Sequence, residues 1–479
     1  MTTFQILNFG CRASQADGAA LKKQLLEVGL REAGDAATSE VAILNTCTVT
    51  ARADAEVRQL VRRIHRANPL CRILVTGCYA QRSPKEITEL DGVEWVVGNS
   101  HKHVIAQLLT SPGVGAPLVG AQERPQGPPP QEQTSFVQIQ SSEATRTPSK
   151  AGTDRIPILP SRPAPPQPAV LVGEISEQFH FAPVFPDDRT RPTLKVQDGC
   201  NARCSFCVIP SVRGRSRSLE PQKVTGQVRE LERSGYKEIV LSGINLGSYG
   251  RDLDRRITFL SLLERLLRET TIARLRISSI EPMDVTPALI DLAAREPRLA
   301  QHFHVPLQSG CSRILRLMSR RYWPSQYAER ILAIREQVPN AGIGADVMVG
   351  FPGETNQDHA SSAAFIESLP FTYLHIFPYS ARPQTPAAAS AQQVNGRVAH
   401  ERAQQIRALL APKRQAFLQA QVGRKLSALT LDESQGGERV ALSSNYVKIA
   451  LPGSNLPPNT LTDFQIGRLH EGLLFGFAA

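Results

Sequence analysis

DGCNARCSFC, residues 198–207, sets Cys200, Cys204 and Cys207 in a C-x3-C-x2-C spacing. Three thiolates so close in sequence can hold three corners of one compact metal site. Zinc suits short cysteine spacings, but a structural zinc site takes four protein ligands. After Cys207 the chain continues VIPSVRGRSRSLE, with no histidine or cysteine. The next histidines of interest, His302 and His304, belong to a distant segment, and nothing in the sequence brings them back. An iron–sulfur cubane held by three cysteines leaves one iron open. Such clusters usually take four cysteines, so three imply a coordination position kept for chemistry.

The rest of the composition is that of a soluble globular chain. Its 479 residues are 41% hydrophobic and 21% charged, long enough for about two to four domains. There is no apolar run of roughly eighteen residues to span a bilayer. The start, MTTFQILNFGC, lacks the basic and apolar regions of a signal peptide, so a cytoplasmic location without membrane contact is expected. The formal charge of +11 points to a polyanionic partner, most simply nucleic acid. Besides the trio, the cysteines are Cys11, Cys47, Cys71, Cys78 and Cys311. In a long unsecreted chain they read as metal ligands or catalytic thiols, not as a disulfide framework.

Residues 1–112 are expected to form an open parallel α/β domain. The apolar runs FQILNF, VAILNT and RILVTG read as buried parallel strands, and each leads into a cysteine: Cys11, Cys47 and Cys78. Strand carboxyl ends share one edge of such a sheet, where ligands bind, so these three cysteines can converge there. Residues 113–186 are expected to be a disordered linker, because 125–168 alone hold eleven prolines with little aliphatic periodicity. Residues 187–420 alternate strand and helix through TLKVQ, EIVLSGI, RLRISS, HFHVPL, IGADVMVG and YLHIFPY. That order predicts a partial (β/α)6 barrel, followed by a long basic helix over 394–420. Residues 421–479 change to strand period and predict a small all-β barrel.

C-x3-C-x-Phe-C just after the first strand of a βα series resembles the signature of radical S-adenosylmethionine enzymes. NTCTVTARAD (45–54), VTGCYAQ (75–81), GCNARCSFCVIPSVRGRSRS (199–218), LSGINLGSYG (241–250) and HFHVPLQSG (302–310) look most like the tRNA threonylcarbamoyladenosine methylthiotransferases. The resemblance covers about 1–110 and 190–479, and leaves the Pro-rich stretch outside it. It implies two 4Fe-4S clusters, one on Cys200, Cys204 and Cys207 and one on Cys11, Cys47 and Cys78, with S-adenosylmethionine on the open iron of the first. It also implies radical sulfur insertion at C2 of N6-threonylcarbamoyladenosine at tRNA position 37, then methylation, with a flavodoxin- or ferredoxin-type electron donor. A C–H bond at an aromatic carbon offers no acid–base route at neutral pH, which is why a radical is needed. The final barrel would be TRAM-like. One departure concerns positioning near Cys11: the family usually has Asn three residues on and an acid six on, and here they are Ser14 and Asp17.

The same resemblance puts Phe206 near the adenine of S-adenosylmethionine, and Gly243 and Asn245 of LSGINLGSYG near its methionine amino group. Glu281 of SSIEP would meet the ribose and Gly350 of DVMVGFPGET the adenine. The two glycine segments also read as ordinary turns, and Glu281 as a helix start before Pro282. His302 and His304 share one strand face and are either core polar groups or site residues. Arg203, Arg213, Arg215 and Arg217 are expected to meet phosphates, extended by RQLVRRIHR (58–66) and SRR (319–321). Residues 421–479 balance five Lys/Arg against five Asp/Glu, so RNA contact there would rest on shape. Cys71 and Cys311 match no ligand position. The alternatives are methylthiolation of another RNA base or of a ribosomal protein, and a zinc-stabilised RNA-binding protein without catalysis.

Overall fold

The computed structural model describes residues 2–36, 38–110, 167–175, 190–253, 256–435 and 437–479. Most of the stretch expected to be linker lies outside the described residues. The first sheet runs β2 (Arg31–Glu32), β1 (Thr3–Asn8), β3 (Val41–Thr46), β4 (Arg72–Gly77), β5 (Val93–Gly98), β6 (Ala169–Leu171), all parallel. Helix α1 (Arg12–Glu27) and helix α2 (Ala51–Ala67) follow β1 and β3. Every residue of β3 is buried, as expected of a central strand covered on both faces. Thr50 caps α2 by accepting from the Ala53 N–H at 3.2 Å. β6 corrects the linker expectation in part: the apolar Ala-Val-Leu after the prolines is long enough to pair with β5 at the sheet edge.

The second unit carries the six strands expected from the sequence, in two three-stranded parallel sheets. The first is ordered β11 (Arg274–Ile277), β10 (Glu238–Ser242), β7 (Thr193–Lys195), and the second β12 (His302–His304), β13 (Gly342–Val349), β14 (Tyr373–Pro378). A single bridge, Leu275 to Leu299, links them. A short hairpin, β8 (Gln197–Asp198) with β9 (Arg217–Ser218), frames the cysteine loop. Alternation along the strands decides what faces where. Leu194, Ile239, Leu275, Phe303, Ile343 and Val347 pack outward under the helices in one large core. The lumen receives charged and aromatic polar residues instead.

After the helix Gly396–Gln419 comes a closed barrel, β15 (Lys425–Gln435), β16 (Glu438–Ser443), β17 (Lys448–Leu451), β18 (Leu461–His470) and β19 (Leu473–Ala478). It docks under the second unit through buried charge. Glu238 is 0% exposed and accepts from Arg276 Nε at 2.7 Å, Arg274 Nη1 at 3.3 Å and Arg191 Nη1 at 3.5 Å. Arg276 also donates to the carbonyls of Ser443 and Ser444, at 2.9 and 3.0 Å, and Arg274 to Ser427 Oγ at 2.7 Å. Among the described residues no helix is long and apolar enough to cross a membrane.

Burial alone would raise the Glu238 carboxyl, but Arg276, then Arg191 and Arg274, outweigh it and hold it at about 2 against an ordinary 4.5. A depressed folded pKa contributes stability that is present above the unfolded value and lost as pH falls through the folded one. Denaturant titrations should therefore show wild-type stability falling from about pH 4.5 toward 2. In Glu238→Gln that fall should be shallower, and stability at pH 7 lower by about 3–5 kcal/mol, the cost of leaving a buried partner unmatched.

Candidate active site

The carboxyl ends of β1, β3 and β4 lie side by side, and Cys11, Cys47 and Cys78 meet there. Burial, then the neighbouring Cys11 and Cys78, push the Cys47 thiol up to about 12. The approach depends on two glycines. Gly10 has φ +90°, and a Cβ there would sit 2.2 Å from the Cβ of Cys47. Gly77 has φ +100°, with an added Cβ 2.4 Å from the Thr46 carbonyl oxygen. Two sulfurs have polar neighbours. Ser14 Oγ lies 3.6 Å from Cys11 Sγ, and Asn99 Nδ2 donates to Cys78 Sγ at 3.5 Å. Ser14 is thus a hydrogen-bonding neighbour of the sulfur despite the departure from Asn.

Cys200, Cys204 and Cys207 follow β8 on one loop. Burial, with Cys204 and Cys200 adding to it, pushes the Cys207 thiol up to about 12. Thiols so unwilling to ionise need a cationic partner to become thiolates. Each trio offers three thiols: a structural zinc site takes four protein ligands, whereas an iron–sulfur cubane held by three thiolates leaves one iron open.

Every member of the first trio is tied to the second unit. Arg213 Nη2 donates to Ser14 Oγ at 3.3 Å and Asp17 Oδ2 at 3.0 Å. Asn99 Nδ2 also donates to the Val212 carbonyl at 2.8 Å. Arg382 Nη1 donates to the carbonyl of Thr48, next to Cys47, at 3.2 Å and to Asp54 Oδ2 at 2.7 Å. Lys195 Nζ donates to Asp17 Oδ1 and, at 2.7 Å, to Asp198 Oδ2, while Arg213 Nη1 donates to both oxygens of Asp198 at 3.0 Å. Asp198 precedes Gly199 and Cys200, so one network touches both cysteine loops.

Two cavities flank the second loop. One, of about 330 Å³, is lined by Cys204, Ser216, Asn245, Asp252, Glu281 and Arg320. Asn245 Nδ2 donates to Cys200 Sγ at 3.9 Å, and its buried Oδ1 has no hydrogen-bond partner among the described residues. An orphaned acceptor beside the Cys200 sulfur would suit the amino group of S-adenosylmethionine bound to a cluster held there. Arg320 forks onto Glu281, with Nη1 at 3.3 Å from Oε1, and also donates to Cys204 Sγ at 3.6 Å. The sequence places Arg320, within SRR (319–321), on a basic track toward phosphate; its side chain is instead buried against Glu281 after the helix Ser312–Leu317.

The other cavity, of about 260 Å³, lies between the units, with Thr50 on one side and Phe206, Cys207, Gln308 and Asp346 on the other. Gln308 holds a left-handed φ of +63°, and its buried Oε1 has no partner among the described residues. Asp346 Oδ1 is 3.2 Å from both His304 Nε2 and His375 Nδ1. Tyr373 links His304 Nδ1 at 3.0 Å to His302 Nε2 at 2.7 Å. Burial, then Arg276, holds His302 well below the usual imidazole range. His302 is therefore a neutral lumen residue, and His304 reaches the cavity only through Asp346.

Of the cofactor residues expected from sequence, Asn245 and Glu281 line the first cavity and Phe206 the second. Gly243 and Gly350 are not among the lining residues of either cavity; a Cβ at Gly243 would meet Gln197 at 2.8 Å and one at Gly350 would meet Ala399 at 2.5 Å. The arginine expectation splits: Arg203 and Arg215 are exposed, but Arg213 and Arg217 are buried in pairing and cannot meet phosphate. Cys71 and Cys311 are buried, beside Ser39 and Asp358 respectively.

The fold and paired cysteine sites define a two-part redox-cofactor protein of the radical S-adenosylmethionine class: residues 194–366 match the radical SAM superfamily, and residues 3–98 the uncharacterized protein family UPF0004. The chain is 34% identical to the threonylcarbamoyladenosine tRNA methylthiotransferase MtaB of Aquifex aeolicus over 93% of this chain and 95% of that one. Identity is 32% to the like-named protein of Bacillus subtilis, over 95% and 91%. The chain belongs to this family of threonylcarbamoyladenosine tRNA methylthiotransferases. The radical S-adenosylmethionine methyltransferase TsrM of Kitasatospora setae shares the fold, with a TM-score of 0.55 and 14% identity over 86% of this chain and 89% of that one.

Anaerobically reconstituted protein should hold about eight irons per chain, falling to about four in Cys200→Ala/Cys204→Ala/Cys207→Ala. Cys71→Ala and Cys311→Ala should leave the count unchanged, as read by iron and sulfide assay.

Proposed function

We propose that the protein converts N6-threonylcarbamoyladenosine at tRNA position 37 to its 2-methylthio derivative, with two 4Fe-4S clusters and S-adenosylmethionine as cofactors. The observation that carries the reading is the cavity bordered by both cysteine loops, since a base seated there lies between a radical source and a sulfur source. When bound, these groups supply a 5′-deoxyadenosyl radical, the sulfur and the methyl group. Cys200, Cys204 and Cys207 would hold one cluster, and Cys11, Cys47 and Cys78 the other. Asn245 would accept from the S-adenosylmethionine amino group, and the Arg320–Glu281 pair would orient its ribose side.

In the second cavity Asp346, kept ionised and oriented by His304 and His375, would accept from an N–H of the threonylcarbamoyl-adenine. Burial raises the Asp346 carboxyl, but hydrogen bonds from His304 and His375 outweigh this and hold it well below the usual carboxylate range. The Gln308 Oε1, unpartnered among the described residues, would accept from a ring edge. Arg62, Arg63, Arg66, Arg203 and Arg215, all exposed, would meet the backbone of the anticodon arm. A flavodoxin- or ferredoxin-type donor and a cytoplasmic location complete the proposal.

Reconstituted enzyme with reductant and S-adenosylmethionine should add CH2S to the modified adenosine of tRNA carrying N6-threonylcarbamoyladenosine, read by nucleoside mass spectrometry. Product only on tRNA carrying another A37 modification, or on a ribosomal protein, would overturn the substrate. Asp346→Ala should lower kcat/KM about 10- to 100-fold, the worth of one hydrogen bond to a charged group, with iron content unchanged.

A further inference from the structure

Asp17, Lys102, Lys195, Asp198 and Arg213 form one buried set at the seam between the two units. Asp17 and Lys102 come from the N-terminal sheet unit, and the other three from the barrel. All five are shielded from solvent, with side chains no more than 15% exposed. Three cations meet two carboxylates, so the direct pairs leave one positive charge over. The neighbouring Arg217 does not alter that excess, because it brings a further carboxylate, Asp252, into the set. A buried charge left unmatched is expensive.

The groups that can match it are sulfurs. Arg213 faces Cys78 and Cys11 and bonds to Ser14, which touches Cys11 Sγ. Lys102 faces Cys78 and donates to Asn45 Oδ1 at 3.2 Å. A four-iron cluster on three thiolates is anionic when oxidised and more so when reduced, and its potential follows local charge and burial. We infer that Arg213 and Lys102 are the fixed counter-charges of the cluster on Cys11, Cys47 and Cys78, and that they raise its reduction potential. Arg213 belongs to the radical-cluster loop, so this tuning is complete only when the two units are docked. Both are positioning residues acting through the cluster, and the inference rests on the two-cluster reading above.

The test uses the full chain carrying Cys200→Ala/Cys204→Ala/Cys207→Ala, in which only the first trio can load iron. Redox titration followed by electron paramagnetic resonance gives the midpoint. Arg213→Met and Lys102→Met should shift it negative, Asp17→Asn positive, and Arg213→Lys should stay near the parent. A tenfold change in the reduced-to-oxidised ratio at the parent midpoint corresponds to 59 mV for one electron. Unmoved midpoints at full iron loading would overturn the inference. So would shifts of the same sign in Lys102→Met and Asp17→Asn, which mark solvent entry and not charge. If Arg213→Met does not retain iron, the opposed signs of those two variants decide. A parent that binds no iron at all would instead sink the two-cluster reading.

Discussion

Five charged side chains buried at one seam constrain everything around them. Ions removed from water cost several kcal/mol each unless partners sit at hydrogen-bonding distance, so Asp17, Asp198, Lys102, Lys195 and Arg213 admit essentially one arrangement of the two units. That arrangement brings the carboxyl edge of the first sheet against the loop after β8. The seam is thus a ruler as well as a fastener, because Asp17 sits six residues after Cys11 and Asp198 two before Cys200. Exposed pairs such as Arg52–Glu56, 2.9 Å apart on the surface of α2, could not do this, since their worth is typically under about 1 kcal/mol.

The two cavities divide the work around the second cysteine loop. Asn245, Glu281 and Arg320 give one a small set of polar groups with an orphaned acceptor, a lining suited to an amino acid and a ribose. The other mixes Phe206, Met348 and Phe377 with Gln308 and Asp346, which suits a flat base bearing a polar substituent. Phe206 and Phe351 meet edge to face, with ring centroids 6.4 Å apart, and so stiffen the wall between the cysteine loop and the strand-end turn. The strained Gln308 keeps its backbone bridged to Val347 of β13 while, among the described residues, its buried Oε1 has no partner, which is the state of an acceptor waiting for a donor.

The lumen below is also polar, and it is closed by the C-terminal barrel. Glu238 and its arginines reach the carbonyls of Ser443 and Ser444, and Tyr446 stacks on His302 with centroids 4.2 Å apart. The same five-stranded barrel that carries no net charge in sequence therefore has a structural task as the floor of the second unit. Arg12, one residue after Cys11, donates to Tyr446 Oη at 3.4 Å, so all three parts of the chain meet near the first trio.

The sequence by itself determined the cysteine chemistry and the order of the units. Period-two apolar runs ending in Cys11, Cys47 and Cys78 reveal a shared sheet edge, and C-x3-C-x2-C without a fourth ligand reveals an open iron, because both depend on local spacing. Only the tertiary structure decided which charges are structural and which are free. Arg213 and Arg217 look like Arg215 in the string SVRGRSRS and like Arg203 just before it, yet two are buried and two exposed. The roles of Arg320, Asp346 and Gln308 likewise come from strands far apart in the chain. A charge's role is set by its partner and its access to water, and neither is a property of the residues next to it in sequence.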